Sequence, residues 1–190
     1  RGRLEGAERM RGPRGLAWDI RTERLYVLNK LSATVSTIDT RAALVLSECP
    51  LGSVDAWPAE ARGGRGFLFD ARLSGNGASA CASCHIDADA DGLAWDLGDP
   101  AGAPTTVMGA NLAVHDPTPR ERTMHPMKGP MVTQTLRGLD PAKRLHWRGD
   151  RASLRDFNPT FRDLLAGELR EASEIDQLAA YLQTLRHHPN

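Results

Sequence analysis

The chain has 190 residues, enough for one ordinary domain or a domain with an appendage. Its 24 Lys and Arg balance its 24 Asp and Glu, so the formal net charge is zero and the basic surface that binds nucleic acid is not expected. No run approaches the roughly 18 consecutive apolar residues of a membrane-spanning helix, so none is predicted. Aromatic residues make up 5% of the chain, against 18 Gly and 12 Pro, which predicts many loops and a thin aromatic core.

The first part of the chain, residues 1–55, is predicted to contain a small sheet. Short runs rich in β-branched and aromatic residues occupy 14–18, 24–30, 33–38 and 42–46, with turn residues between them. This pattern is typical of an antiparallel meander. One such sheet cannot bury both of its faces, so it must rest on another part of the molecule.

The second part, residues 56–190, is predicted to begin and end with helices. The first helix begins at Pro58 or Ala59 and extends to Asp70. The last is capped by Ser173 and runs for about 13 residues, with apolar side chains at helical spacing. Between 75 and 130 the sequence is mostly loop.

The string Cys81-Ala-Ser-Cys84-His85 carries the chemistry. Two cysteines separated by two residues can each bond to a vinyl group of one haem, and the adjacent histidine then holds the iron. A redox dithiol needs a thioredoxin-like context, which is missing. A zinc site needs a second ligand pair, for which Cys49 alone remains. Cys49 is predicted to be a buried thiol that packs as a small apolar residue, with an intermolecular disulfide as the alternative. We therefore predict one haem c, bound through Cys81, Cys84 and His85.

The order of helix, haem motif, loops and terminal helix is the cytochrome c arrangement. In that arrangement a small residue, Gly63, four before Phe67 allows close crossing with Tyr181 and Leu182 of the last helix. The haem itself would replace the missing aromatic core. The predicted fold class is a mostly α, cytochrome c-like haem domain over 56–190 with a small N-terminal antiparallel β meander.

The second axial ligand of the iron is predicted to be Met131. The segment Met124–Met131 holds three of the five methionines in the chain, and its Gly-Pro-Met ending resembles the ligand loop of small cytochromes c. A methionine ligand raises the reduction potential relative to two histidines. The alternatives are, in order, Met127 and His125. The remaining candidates are Met124, His115 and His146.

Several phrases of the sequence resemble one family. Leu25–Thr40 resembles one blade of a YVTN-type β-propeller, and the phrases at 92–98, 125–138 and 145–151 resemble the haem domain of bacterial proteins that join such a propeller to a cytochrome c region. That haem domain is distantly similar to di-haem cytochrome c peroxidases and MauG. This chain departs from the family in having one blade and one haem motif, so it is either a fragment or a reduced relative.

Two further groups of residues carry expectations. At least one of Arg137, Arg148 and Arg151 is predicted to pair with a haem propionate, because a guanidinium forks onto carboxylates; Trp147 would line the pocket. The alternative is an ordinary salt-bridged turn.

Asp87, Asp89 and Asp91 match the opening half of an EF-hand loop. Residue 98, where that loop needs a bidentate Glu, is a glycine. An acidic surface loop is the favoured interpretation, with bound calcium as the alternative.

The sequence as a whole predicts a mono-haem c-type cytochrome that carries electrons between redox partner proteins. The first alternative is a peroxidase- or MauG-like haem enzyme, and the second is a haem subunit that joins a larger redox assembly through the meander. Because haem is attached to such motifs outside the bacterial inner membrane, a periplasmic or extracellular location is expected.

Overall fold

The computed structural model describes residues 11–53, 57–109, 118 and 120–189. It is 25% helix and 25% strand, so the prediction of a mostly α haem domain is wrong. The helices are few and short because Gly, Pro and Asp interrupt the central third of the chain, and parts of that region pair as small sheets instead. The described helices are α1 Ala59–Phe69, α2 Asn158–Asp163 and α3 Ala172–Thr184.

The N-terminal meander is confirmed. Its four strands pair antiparallel in chain order, and its three hairpin loops share one conformation, with the left-handed residues Glu23, Ala33 and Ala43 at φ 53°, 52° and 54°. Asp19 and Asp39 each begin a loop and accept a hydrogen bond from the backbone N–H two residues on, both 2.9 Å long. The strands are β1 Pro13–Asp19, β2 Arg24–Asn29, β3 Thr34–Asp39 and β4 Leu44–Pro50.

Only the middle of this sheet is buried. Val27, Asn29 and Ser36 are buried, whereas Trp18 is 63% exposed and every residue of β4 is exposed. Cys49 lies on β4 and is therefore exposed. The prediction of a buried Cys49 is wrong because β4 is an edge strand that no described element covers.

Both long predicted helices are present. Pro58 precedes α1, as expected. The start of α3 differs: Glu171 is its N-cap, and its backbone N–H donates to the Glu174 side chain at 2.9 Å, so Ser173 is not the cap. The predicted apolar stripe of α3 forms the core together with α1 and Phe161.

The close crossing of α1 and α3 depends on a glycine, and that glycine is chiefly Gly64, not the predicted Gly63. A Cβ at Gly64 would overlap the backbone carbonyl of Gln177 and lie 2.8 Å from the Tyr181 Cβ. A Cβ at Gly63 would meet only the end of the flexible Gln177 side chain. The closest approach is therefore at Gly64, one residue further along α1.

Replacing Gly64 by Ala should destabilise the protein. The added methyl group can be accommodated only if the two helices separate, which should lower the free energy of unfolding by about 1–3 kcal/mol. Gly63→Ala is the matched control and should change it by less than about 1 kcal/mol, since the Gln177 side chain can move aside. Chemical denaturation measures both. Equal losses in the two variants would contradict this account of the crossing.

The meander rests on α1 and on the loop that follows the Cys81–His85 motif. Lys30 pairs with the Asp87 carboxylate at 2.6 Å, Arg14 donates to the same carboxylate, and the Lys30 ammonium lies 5.3 Å from the centre of the Phe69 ring. Arg65 of α1 donates to the carbonyl of Leu31 between β2 and β3. The sheet is thus tied to the second part of the chain near its predicted functional motif.

Asp87→Asn should weaken this attachment. It removes the charge that both Lys30 and Arg14 contact, and asparagine tolerates the left-handed backbone found at residue 87. Because all three side chains are partly solvated, the expected loss in unfolding free energy is about 1 kcal/mol. Asp163→Asn, whose partner is the adjacent Arg162, is the control and should have no measurable effect. A loss of the same size at both positions would argue against the Asp87 contact.

Two small sheets complete the fold and bring distant loops together. Their strands are β5 Ala94–Trp95, paired with β8 Met131–Val132, and β6 Thr105–Gly109, paired with β7 Arg120–Met124. Trp95 pairs directly with Met131. Among the described residues, no helix has the length and apolar character needed to cross a membrane, as predicted.

Candidate functional site

The Cys81–His85 motif forms one tight turn on the surface of the core. Residues Cys81–Ser83 are a 3-10 turn, and the backbone N–H groups of Cys84 and His85 both donate to the Cys81 carbonyl, at 3.3 and 2.9 Å. Cys81 packs against the helical core. The two thiols and the imidazole therefore start from a small, fixed stretch of backbone.

His85 has a defined tautomer. Its Nδ1 lies 2.8 Å from the backbone carbonyl of Gln134. A carbonyl can only accept, so Nδ1 carries the proton and Nε2 keeps its lone pair. Burial lowers the pKa of His85, and the bond to Gln134 only partly opposes this, so the ring is neutral at pH 7. This is the state in which an imidazole binds a metal.

A cleft of about 150 Å³ lies beside this turn. It is smaller than the roughly 300–1,000 Å³ of a typical ligand pocket, but large apolar side chains along it remain solvent-exposed. Trp95 is 41% exposed, Leu97 52%, Val132 51% and Trp147 58%. A flat apolar group bound here would cover these side chains as well as fill the cleft.

A second histidine, His146, lines the same cleft. Its Nδ1 lies 3.0 Å from Oδ1 of Asp150, and its ring stands edge-on to Phe157 with centroids 4.7 Å apart. In the sequence, His146 is one of several axial candidates, and its pairing with Asp150 was not predicted. The signal in the sequence that could have linked His146 with Asp150 is their separation by four residues.

The structure separates the other axial candidates. Met131 lines the cleft. Met127 is 57% exposed and does not line it, and the His125 Nδ1 accepts a hydrogen bond from the Met127 backbone N–H at 3.0 Å. Met124 Sδ lies 3.1 Å from Nε of Arg148. His115 lies outside the described residues. Met131 as a ligand stays a prediction, without contradiction from its position.

The three arginines predicted to meet a propionate differ in their surroundings. Arg137 donates to the Asp89 carboxylate and to the carbonyls of Asp87 and Arg186. Arg148 contacts Met124 and donates to the His125 carbonyl. The buried Nε of Arg151, in contrast, has no hydrogen-bond partner among the described residues. Arg151 is therefore the arginine of the three that keeps a buried donor for an added carboxylate, although none of the three is among the residues that line the cleft. Trp147, predicted to line the haem pocket, lines this cleft and donates its Nε1–H to the Val132 carbonyl at 2.8 Å.

The carboxylates of the predicted acidic loop point to separate partners. Asp87 pairs with Lys30 and Arg14, Asp89 with Arg137, and Asp91 accepts from the Trp95 Nε1–H at 2.8 Å. No three His, Cys, Asp or Glu side chains in the described part of the chain cluster as a metal-ion site requires. The arrangement of these carboxylates therefore does not support a bound calcium ion.

The protonation of the two thiols bears on what the motif does. Burial raises the pKa of both Cys81 and Cys84, and the nearby Asp91 carboxylate raises that of Cys84 further. Dithiols used in disulfide exchange instead have a lowered thiolate pKa. The environment of the motif thus disfavours the redox-dithiol interpretation.

The thiols of the haem-free protein should accordingly react slowly near neutral pH. In a Cys49→Ser background, which removes the exposed thiol, alkylation of Cys81 and Cys84 should become fast only above pH 9, their ordinary pKa value being 9.0. Mass spectrometry after timed alkylation measures this. Fast alkylation at pH 7 would indicate a lowered thiolate pKa and favour the redox dithiol.

The residues present fit a haem c group. The fit rests on the paired thiols, the neutral His85 with Nε2 available, the exposed apolar side chains around the cleft and the buried, unpartnered Nε of Arg151. Comparison with known proteins adds nothing to this: no family, curated protein or solved structure matches the chain.

Proposed function

We propose that the protein is a c-type cytochrome that carries one covalently bound haem and relays electrons between redox partners. The observation that carries the proposal is the state of His85: the Gln134 carbonyl fixes its tautomer, and its neutral ring lines an apolar cleft next to two closely spaced thiols. The resemblance of several sequence phrases to propeller–cytochrome fusion proteins supports the same proposal.

Each residue has a defined part in this function. Cys81 and Cys84 would hold the haem covalently, through one thioether bond each. His85 would bind the iron through Nε2, and Arg151 would pair with a propionate carboxylate. Once bound, the haem iron supplies reversible one-electron chemistry. The apolar side chains around the cleft exclude water and thereby tune the potential.

The enzymatic alternative, a peroxidase- or MauG-like haem protein, requires an iron face that substrate can reach. Met131 and His146, both on the cleft, are potential ligands for that face, which favours the electron carrier. The alternative of a haem subunit in a larger assembly is supported by exposed apolar side chains of the meander and its first loop, which a partner could cover: Leu16, Trp18 and Ile20. A location outside the inner membrane is part of the proposal, because haem attachment takes place there.

Covalent attachment is the first test. When the chain is produced with a c-type maturation system, one haem per chain should remain bound after denaturation, as measured by the spectrum of the pyridine adduct. Cys81→Ala and Cys84→Ala should each lower covalent haem severely, because each removes one of the two bonds. Cys49→Ala should retain it. Full haem release on denaturation of the unmodified protein would contradict the proposal.

A further inference from the structure

Two imidazoles line the cleft, and both have the same tautomer. His85 donates its Nδ1–H to the Gln134 carbonyl, and His146 has its Nδ1 on the Asp150 carboxylate. A carboxylate offers oxygen acceptors, and the Nδ1 of His146 lies 3.0 Å from Oδ1 of Asp150. His146 therefore carries its proton on Nδ1 and keeps the lone pair on Nε2.

The structure holds the His146 ring on several sides. Asp150 fixes the tautomer and Phe157 contacts the ring edge-on. The backbone at His146 is left-handed, with φ 66°, a conformation that His adopts more readily than most residues other than glycine. No comparable set of contacts orients the Met131 thioether among the described residues.

The turn that carries His146 is closed on itself and tied to the opposite side of the cleft. The Leu145 N–H donates to the Arg151 carbonyl at 2.9 Å, and the Gly149 N–H donates to the His146 carbonyl at 3.0 Å. Trp147 reaches across to the Val132 carbonyl, next to Met131. His146 thus lies on a hydrogen-bonded turn next to strand β8, which carries Met131, the other candidate ligand.

We propose that His146, oriented by Asp150, is the second axial ligand of the iron in place of Met131. This inference rests on the proposed haem function. A histidine that donates its other ring N–H to a carboxylate is the usual form of a metal-binding histidine, because the hydrogen bond fixes the ring and increases its basicity. Two imidazole ligands lower the reduction potential relative to imidazole and thioether. The protein is then a low-potential electron carrier.

Met131, the side chain that the sequence favours as the ligand, has another role available to it at the cleft. Met131 follows a Gly-Pro pair that resembles a ligand loop, but its backbone is engaged in the β5–β8 pair with Trp95. Its position along the cleft is explained by packing against the apolar side chains there, which is the ordinary role of a methionine.

The test compares three variants of the haem-loaded protein by ferric absorption and electron paramagnetic resonance spectra. The unmodified protein should be low-spin and should lack the weak red methionine-to-iron band. His146→Gly, which suits the left-handed backbone, should lose this low-spin signature, and free imidazole added to the solution should restore it. Met131→Leu should leave the spectrum unchanged. Asp150→Asn should keep the ligand but raise the midpoint potential, because it removes the anion behind the ring.

The outcomes separate the two proposals. Absence of covalent haem contradicts the cytochrome function itself, whatever the axial ligand. With haem attached, a red band that disappears in Met131→Leu, a His146→Gly spectrum equal to that of the unmodified protein, or a high-spin ferric state in the unmodified protein would overturn the assignment of His146. Restoration by imidazole distinguishes loss of a ligand from loss of the fold.

Discussion

The crossing of α1 and α3 is the constraint on which the rest of the structure depends. Gly64 lets the two helices meet backbone to backbone, and their buried side chains form most of a small core. A flanking loop is attached to the end of α3 and to the core: the Gly138 N–H donates to the Leu185 carbonyl at 2.9 Å, and the Leu136 N–H donates to the carbonyl of the core residue Ala88 at 3.0 Å. A chain with so few helices can therefore still hold its functional turn in a defined place.

The packing is incomplete beside the Cys81–His85 motif. Large apolar side chains remain exposed around the cleft although similar residues on α3 are buried. A haem bound there would supply the missing apolar surface. Folding and cofactor binding would then be coupled, since the gain from covering Trp95, Leu97, Val132 and Trp147 is realised only with the group in place.

Local sequence patterns predicted local structure well. The meander, α1 and α3 each follow from residues adjacent in the chain. The predicted fold class is wrong because the helices are few and short, and because segments predicted as loop form strand pairs whose partners are distant in sequence, as for Trp95 and Met131. Gln134 is likewise distant from His85 in the sequence, so the hydrogen bond between its carbonyl and the His85 ring could not be predicted. The exposure of Cys49 could not be predicted without knowing that β4 is an edge strand. The N-cap of α3 could not be predicted without knowing that the Glu174 carboxylate accepts from the Glu171 N–H.

The central claim is that Cys81 and Cys84 hold a haem covalently, and peptide mass spectrometry of the matured protein tests it most directly. After denaturation and proteolysis, the account predicts that the peptide spanning residues 81–85 carries the added mass of one haem and that the Cys49 peptide is unmodified. Recovery of the 81–85 peptide with two free thiols or a disulfide, from a chain produced with an active haem-attachment system, would contradict the account.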